Sequence, residues 1–176
     1  ALGGTILNSS GAAVEANIVL TNKTTNAIQQ QWGSSFTFAN LTANNNFNVT
    51  ASRDSDWNNG VTTYDLALIS RHILGIEPFT NPYTLIAADV NRDGSVDALD
   101  LLIIRRLILH QISSFDGNTS WRFIPQTVTV LSSSNFPLGT ISENLQYNAL
   151  IQNVTNANFI AVKIGDVNNS AQTTKQ

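Results

Sequence analysis

The feature that most constrains the fold is a twelve-residue loop, residues 89–100, that runs directly into an apolar helix pattern. Oxygen-bearing side chains hold loop positions one, three, five, nine and twelve, and glycine holds position six: Asp89, Asn91, Asp93, Asp97, Asp100 and Gly94. Calcium takes about six to eight oxygen ligands, and this spacing lets one short loop supply them. In such loops the seventh residue, here Ser95, offers its backbone carbonyl, and the ninth, Asp97, acts through water. The loop predicts a calcium site, in preference to a solvated acidic turn in which Asp100 complements a helix N-terminus.

The loop has a gap-free copy that begins 35 residues earlier, at residues 54–65. Its oxygen-bearing side chains occupy the same five positions: Asp54, Asp56, Asn58, Thr62 and Asp65. Asn59 replaces the glycine at position six, and asparagine tolerates left-handed backbone geometry better than most residues. The first loop carries three carboxylates where the second carries four, so we expect it to be the weaker site.

Each loop continues into a helix pattern, at residues 66–74 and 101–109. The helical periodicity gives each a matching apolar face, and the two faces are predicted to pack on each other: Leu66, Ile69 and Ile73 in the first, Leu101, Ile104 and Ile108 in the second.

The second helix pattern is apolar nearly all round, because Leu102, Ile103, Leu107 and Leu109 lie off the pairing face. Each such side chain gains about 1.5–3 kcal/mol from burial, so something should cover them. We expect β segments of the same chain to do so; the alternative is a partner protein.

Two loop–helix repeats that end on aspartate and open each helix with Asp-Leu resemble a dockerin over about 60 residues. The resemblance implies two calcium ions. It implies ligation by Asp54, Asp56, Asn58, the Gly60 carbonyl and Asp65 in one loop, and by Asp89, Asn91, Asp93, the Ser95 carbonyl and Asp100 in the other.

The same resemblance implies a cohesin-like partner that contacts the late loop and the middle of each helix. Those positions hold Thr63, Tyr64, Ser70 and Arg71 in the first repeat, and Ala98, Leu99, Arg105 and Arg106 in the second. Because the two sets differ, the dual binding mode of symmetric dockerins is not expected.

Period-two apolar alternation on both sides of the repeats predicts β-strands. The predicted strands lie at residues 3–7, 14–20, 36–38, 47–50, 121–124, 128–131, 145–151 and 159–164. The expected fold class is α+β: a β-sandwich of N- and C-terminal strands with a dockerin-like calcium unit between them. The expected divisions are a sandwich at 1–52, a helix pair at 53–118, and at 119–176 a β segment packing on both plus a polar linker.

Residues 1–52 resemble the Cna B-type or carboxypeptidase-regulatory-like sandwich through Ala-Asn-Ile-Val-Leu, Phe-Thr-Phe-Ala-Asn-Leu and Asn-Phe-Asn-Val. The motif order along the whole chain, including Asn-Gly-Val-Thr-Thr, Arg-His-Ile-Leu-Gly and Lys-Ile-Gly-Asp-Val-Asn, resembles modules of large secreted adhesins and surface proteins of Bacteroidota. That resemblance implies an extracellular location and neighbouring modules of the same protein as partners, or self-association in a filament. Residues 166–169 echo the Asp-Val-Asn of the second loop, and the pattern favours a coincidental half-loop or a capping turn over metal binding.

Composition excludes several function classes. The chain has no cysteine, a net charge of −3 and no basic cluster, which excludes thiolate chemistry and disfavours nucleic acid as a partner. No apolar run approaches the ~20 residues that span a bilayer. His72 and His110 are not repeated between the copies, and no nucleophile motif or free carboxylate pair is present, so no catalytic residue is predicted.

The leading hypothesis is therefore a non-catalytic, calcium-stabilised structural or adhesive module. One alternative is a dockerin that docks to a cohesin-like partner. The other is a carbohydrate-binding module that uses Trp32, Trp57 and Trp121, which requires at least two exposed indoles on one face.

Overall fold

The computed structural model describes residues 1–128 and 141–174, and within them the chain forms an α+β fold with two four-stranded sheets and three helices. The strands are β1 (Leu2–Asn8), β2 (Ala16–Asn22), β3 (Ile28–Gly33), β4 (Ser35–Phe38), β5 (Phe47–Ser52), β6 (Trp121–Pro125), β7 (Asn144–Tyr147) and β8 (Phe159–Lys163). The helices are α1 (Thr63–Ile73), α2 (Pro82–Ala88) and α3 (Ala98–Ile108). This arrangement is consistent with the expected sandwich-like fold.

Each sheet combines strands from before and after the helices. One sheet has the order β4-β1-β8-β6, and the other has the order β3-β2-β5-β7. In the first, β1 pairs in parallel with β8, with Ile6 opposite Phe159. In the second, β5 pairs antiparallel with β7, with Val49 opposite Leu145. The C-terminal strands therefore complete both sheets that residues 1–52 begin.

The two sheets enclose one core of alternating apolar residues. Ile18 and Leu20 from β2 and Val49 from β5 point inward, as the period of two in these strands requires. Phe123 of β6 and Phe159 of β8 fill the same core, both essentially inaccessible to solvent.

A second core lies where the helices meet the other face of β6 and β8. Ile69 of α1 and Ile104 and Leu107 of α3 are fully buried in a cluster with Ile124 of β6 and Val162 of β8. Strands β6 and β8 are thus buried on both faces, and the helical unit shares its core with the sandwich.

Helix α2 was not predicted, although its N-terminus carries clear sequence cues. Asn81 caps it by accepting a hydrogen bond from the Tyr83 backbone N–H, and Pro82 occupies the first turn. The helix contacts β8, and the N–H of Gly165 donates to the Ala87 carbonyl at 2.8 Å. Because α2 ends at Ala88 and Asp89 is its C-cap, the helix fixes the start of the second loop against the sheet.

The prediction that β segments cover the second helix is only partly right. Leu107 is fully buried and Ile103 is half-buried, but Leu102 and Leu109 remain 53% and 55% exposed. The physical reason is that α3 packs on α1 and buries one face in the core shared with β6 and β8, so a side chain on its opposite face meets solvent. Strand β3 was also missed, because its Gln29-Gln30-Gln31 run hides a strand that pairs along β2. The predicted strand at 128–131 lies, beyond Val128, outside the described residues.

Candidate calcium-binding sites

The second loop folds around two buried carboxylates at its ends. Asp89 accepts hydrogen bonds from the N–H groups of Asp93, at 3.1 Å, and Gly94, at 2.9 Å. Asp100 accepts from the N–H of Val90 at 2.9 Å, which brings loop positions twelve and two together. These contacts bend residues 89–100 into a closed loop, with Gly94 at a φ of 86°.

The middle of this loop adds further oxygens. The Asn91 side-chain oxygen accepts from the N–H of Asp93 at 3.1 Å, and one oxygen of Asp93 accepts from the N–H of Ser95 at 2.9 Å. Asp97 is the N-cap of α3, and its own N–H donates to Asp100 at 2.9 Å, forming a capping box. The residues predicted for the second loop are thus brought into one turn.

The terminal carboxylates of the loops lie in surroundings that penalise their charge. Burial raises the pKa of Asp100 to about 6, and the charge of Asp89 adds to the effect, while backbone N–H donors counter part of it. Burial also raises the pKa of Asp89 and of Asp65. A divalent cation would offset this penalty, so the donor set of the second loop, which combines carboxylate, amide and carbonyl oxygens, fits calcium.

The first half of the first loop has a different arrangement, because its side chains hydrogen-bond elsewhere. Asp54 accepts from the N–H of Ser120 at 2.9 Å, and Asn58 contacts the ring nitrogen Nδ1 of His110 at 3.1 Å. Asp56, with a φ of 54°, lies 3.7 Å from the Arg53 guanidinium and is exposed. No described hydrogen bond joins Asp54, Asp56 or Asn58 to Asp65 at the end of the loop.

The second half of the first loop follows the pattern of its twin. Thr62 is the N-cap of α1, and its N–H donates to Asp65 at 2.8 Å. Asp65 is fully buried, and its other oxygen accepts from the N–H of Val167 at 2.9 Å. The structure therefore brings Gly60, Thr62 and Asp65 next to a C-terminal segment that was not assigned to a site, although its Asp-Val-Asn echo was visible in the sequence.

Among the described residues, no three histidine or carboxylate side chains converge closely enough to hold a metal by themselves. A calcium site here must therefore draw on asparagine, hydroxyl and backbone carbonyl oxygens, which are the ligands that calcium loops add to their carboxylates.

Most of the positions predicted to contact a cohesin-like partner are exposed, whereas Ser70 is half-buried. Tyr64 in α1 and Leu99 in α3 are 59% and 48% exposed. Arg71, Arg105 and Arg106 are exposed as well. A partner could reach both repeats.

The tryptophans do not form a sugar-binding platform. Trp32 is exposed, but Trp121 is buried in the sandwich core and Trp57 is half-buried, edge-on to Phe115. The carbohydrate-binding alternative required two exposed indoles on one face, so the structure contradicts it.

A family model described as the dockerin type I domain matches residues 52–109, about a third of the chain. The match supports a dockerin domain here, and dockerins are non-catalytic, typically extracellular modules that bind calcium. No curated protein and no solved structure matches the chain. In the described residues no helix is long and apolar enough to cross a membrane. The Cna B-type and adhesin resemblances stay predictions.

Proposed function

We propose that this chain is a non-catalytic, calcium-stabilised structural module of a secreted, multi-domain surface protein or extracellular filament. In this role the two calcium ions fasten the loops to their helices, and the helices brace the sandwich. Neighbouring modules of the same protein are its main partners.

The observation that carries this proposal is the core shared between the helices and the strands. Ile69 and Ile104 contact a cluster that includes Ile124 and Val162 of the sheet. Polar contacts strengthen the same junction: the Ser120 hydroxyl donates to the Ser55 carbonyl at 2.7 Å, and the Asn118 amide donates to the Val90 carbonyl at 3.0 Å. A unit attached this firmly is suited to transmit the stability of its calcium loops to the strands around it.

The proposed division of labour follows the chain. Residues 53–118 supply the calcium unit, whereas residues 1–52 and the strands after residue 118 supply the sandwich. Extracellular calcium is millimolar, so even sites with a dissociation constant of about 10⁻⁴–10⁻³ M would be partly or mostly filled outside the cell.

The test is a thermal melt in millimolar calcium and in excess chelator. We expect calcium to raise the melting temperature, because an ion that binds only the folded state stabilises it by about 1.4 kcal/mol at ten times its dissociation constant. Magnesium at the same concentration is the control. An identical melting temperature in calcium and chelator would contradict the proposal.

The exposed docking positions favour a second candidate function, calcium-dependent docking to a cohesin-like partner. Tyr64, Leu99 and Leu102 are exposed, and Arg105 and Arg106 are exposed on the same helix as the two leucines. Capture of a purified cohesin in calcium, and its loss with Leu99→Ala but not with Ile28→Ala on the remote strand β3, would support it. Ile28 is a suitable control because it is also an exposed apolar residue.

A further inference from the structure

The C-terminal segment, residues 166–171, repeats three side-chain-to-backbone hydrogen bonds of the first half of the second loop. Asp166 accepts from the N–H groups of Ser170, at 3.2 Å, and Ala171, at 2.8 Å. Asp89 makes the same two contacts, to the residues four and five positions after it. The match extends to the third position, where Asn168 accepts from the N–H of Ser170 at 3.2 Å, just as Asn91 accepts from Asp93.

Both segments have a left-handed residue at the fourth position, whereas at the sixth position Gly94 is left-handed and Ala171 is not. Asn169 has a φ of 58°, and Arg92, at the corresponding fourth position, has a φ of 57°. Left-handed backbone is uncommon in residues other than glycine, so its occurrence at the same position of both turns supports a common loop geometry.

The carboxylate that closes this turn comes from a distant part of the chain. Asp65 accepts from the N–H of Val167 at 2.9 Å, as Asp100 accepts from the N–H of Val90 at the same distance. All four carboxylates are buried: Asp65 and Asp166 in one turn, Asp100 and Asp89 in the other. Besides burial, the charge of Asp166 raises the pKa of Asp65, and the charge of Asp89 raises the pKa of Asp100. Asp54, the expected partner of Asp65, is exposed and bonded to Ser120.

The two half-loops meet at Gly60. Its carbonyl accepts from the Ser170 hydroxyl at 3.1 Å, and a Cβ on Gly60 would lie 2.6 Å from the Cα of Ala171. Asn59 and Gln172 clamp the junction with two reciprocal hydrogen bonds of 2.9 Å. Ala171 thus corresponds to loop position six and Gly60 to loop position seven, although the two residues are far apart in the sequence.

We propose that one calcium ion binds the second loop and that the other binds a composite loop made from two separate segments. In the composite loop, Asp166, Asn168 and Ser170 take the place of Asp54, Asp56 and Asn58. Gly60, Thr62 and Asp65 complete it. The proposal rests on the calcium-dependent stabilisation proposed above. The dockerin match implies calcium in this region, and the first half of the contiguous loop has its side chains committed elsewhere. Carboxylate, amide, hydroxyl and carbonyl oxygens together make a donor set that suits calcium.

The composite loop is the weaker of the two sites. It holds two aspartates where the second loop holds four. The buried ammonium group of Lys163 is also electrostatically coupled to both Asp65 and Asp166 and offsets part of their charge. Two calcium affinities should therefore be resolved by calorimetric titration, with the second loop filling first.

The decisive experiment adds one carboxylate at position five of each competing loop. Ser170→Asp gives the composite loop the residue that Asp93 supplies to the second loop, and Asn58→Asp does the same for the contiguous first loop. Both positions are exposed, so both variants should fold. We expect Ser170→Asp to tighten the weaker site about tenfold and Asn58→Asp to leave both sites unchanged, because calcium affinity follows the charge of the ligands.

A second pair of variants removes one charge from each loop. Asp166→Asn should abolish the weaker site and leave the stronger one intact, whereas Asp54→Asn should preserve both. If Asn58→Asp tightens the weaker site and Ser170→Asp does not, or if only one ion binds and Asp89→Asn abolishes it, the composite loop is wrong while calcium stabilisation survives. If the wild-type chain binds no calcium and its melting temperature does not respond, the proposed function fails as well.

Discussion

At the scale of single residues, the close approach of two backbone segments explains a glycine whose role the sequence did not reveal. Gly60 has a φ of 73° and faces Ala171 so closely that no side chain fits between them. Gly75, just after α1, has a similar φ of 69° but opens onto free space. Both glycines have left-handed backbone, but only Gly60 also lies too close to a neighbour for a side chain to fit.

This difference predicts unequal costs for the same substitution. Gly60→Ala should destabilise the fold by about 2 kcal/mol or more, since it adds a steric clash to the backbone strain. Gly75→Ala should cost about 1 kcal/mol, from the left-handed backbone alone. Denaturant unfolding of both variants in calcium measures the two costs. Equal losses would show that segment 166–171 does not press on Gly60 in solution.

His72 provides a pH-sensitive contact away from the calcium loops. Its Nδ1 accepts from the N–H of Phe79 at 2.9 Å, and its ring stacks on the Phe79 ring at 4.6 Å. Burial lowers the pKa of His72 below 6.5, so the unfolded chain takes up its proton first as the pH falls. The contribution of His72 is therefore fully present above pH 6.5 and is lost as the pH drops below that value.

We expect His72 to lower the stability of the calcium-free protein modestly from pH 7.5 to pH 5.5, while Asp100, whose pKa burial raises to about 6, raises the stability over the same interval. The Phe79 amide resonance should titrate with the same midpoint, below 6.5, since the protonated ring can no longer accept its hydrogen. His72→Gln is the matched control and should remove this component of the pH dependence. A Phe79 amide that titrates at 6.5 or above would contradict the assignment.

At the scale of elements, the local sequence pattern was sufficient to predict both helices of the repeats and most of the strands. Period-two alternation predicted β2 and β5, because inward and outward residues differ clearly in polarity. It missed β3, whose burial pattern shows no fully buried residue, because backbone pairing to β2 decides its conformation. Helix α2 has only seven residues, which is too short for an apolar helical periodicity to be recognised in the sequence.

The candidate sites also show that a local sequence pattern does not predict a contact between residues far apart in the sequence. The second loop is contiguous, so its spacing alone predicted the turn that the structure forms. The closing contact of the first site joins Asp65 to Val167, which are 102 residues apart, and no local pattern specifies such a partner. Only the tertiary position of β8, which places residue 166 beside α1, brings the two half-loops together.

Helix α3 predicts a contrast between two leucines on opposite faces. Leu107→Ala should cost about 2–5 kcal/mol, because Leu107 is fully buried in the core shared with the sheet. Leu102→Ala should cost less than about 1 kcal/mol, because its side chain is half in solvent. Denaturant unfolding measures both values, and the Leu102 variant doubles as a probe of docking. A large loss of stability with Leu102→Ala would mean that another surface of the molecule covers it.

At the scale of the whole molecule, the chain passes from the sandwich into the helices and then returns to the sandwich. Strands β6 and β8 contribute to both cores, and the C-terminal segment returns to the first loop and passes Arg53. The Arg53 guanidinium lies over the Trp121 ring at 5.2 Å and donates to the carbonyls of Thr173, at 2.7 Å, and Thr174, at 3.1 Å. These contacts leave no boundary across which one part could unfold without exposing the core of the other.

This shared core predicts that calcium removal weakens the sandwich as well as the loops. Far-UV circular dichroism follows the helices, and fluorescence of the buried Trp121, measured in a Trp32→Phe, Trp57→Phe variant, follows the sandwich core. The two probes should give one coincident unfolding transition. Chelation should move both probes to lower denaturant by the same amount, since one cooperative unit loses the binding energy of its ions. Asp89→Asn should reproduce part of that shift in both probes even at millimolar calcium. If chelation moved the helical transition and left the Trp121 transition in place, the helices would be a separately folding domain, and the brace proposed for this module would not exist.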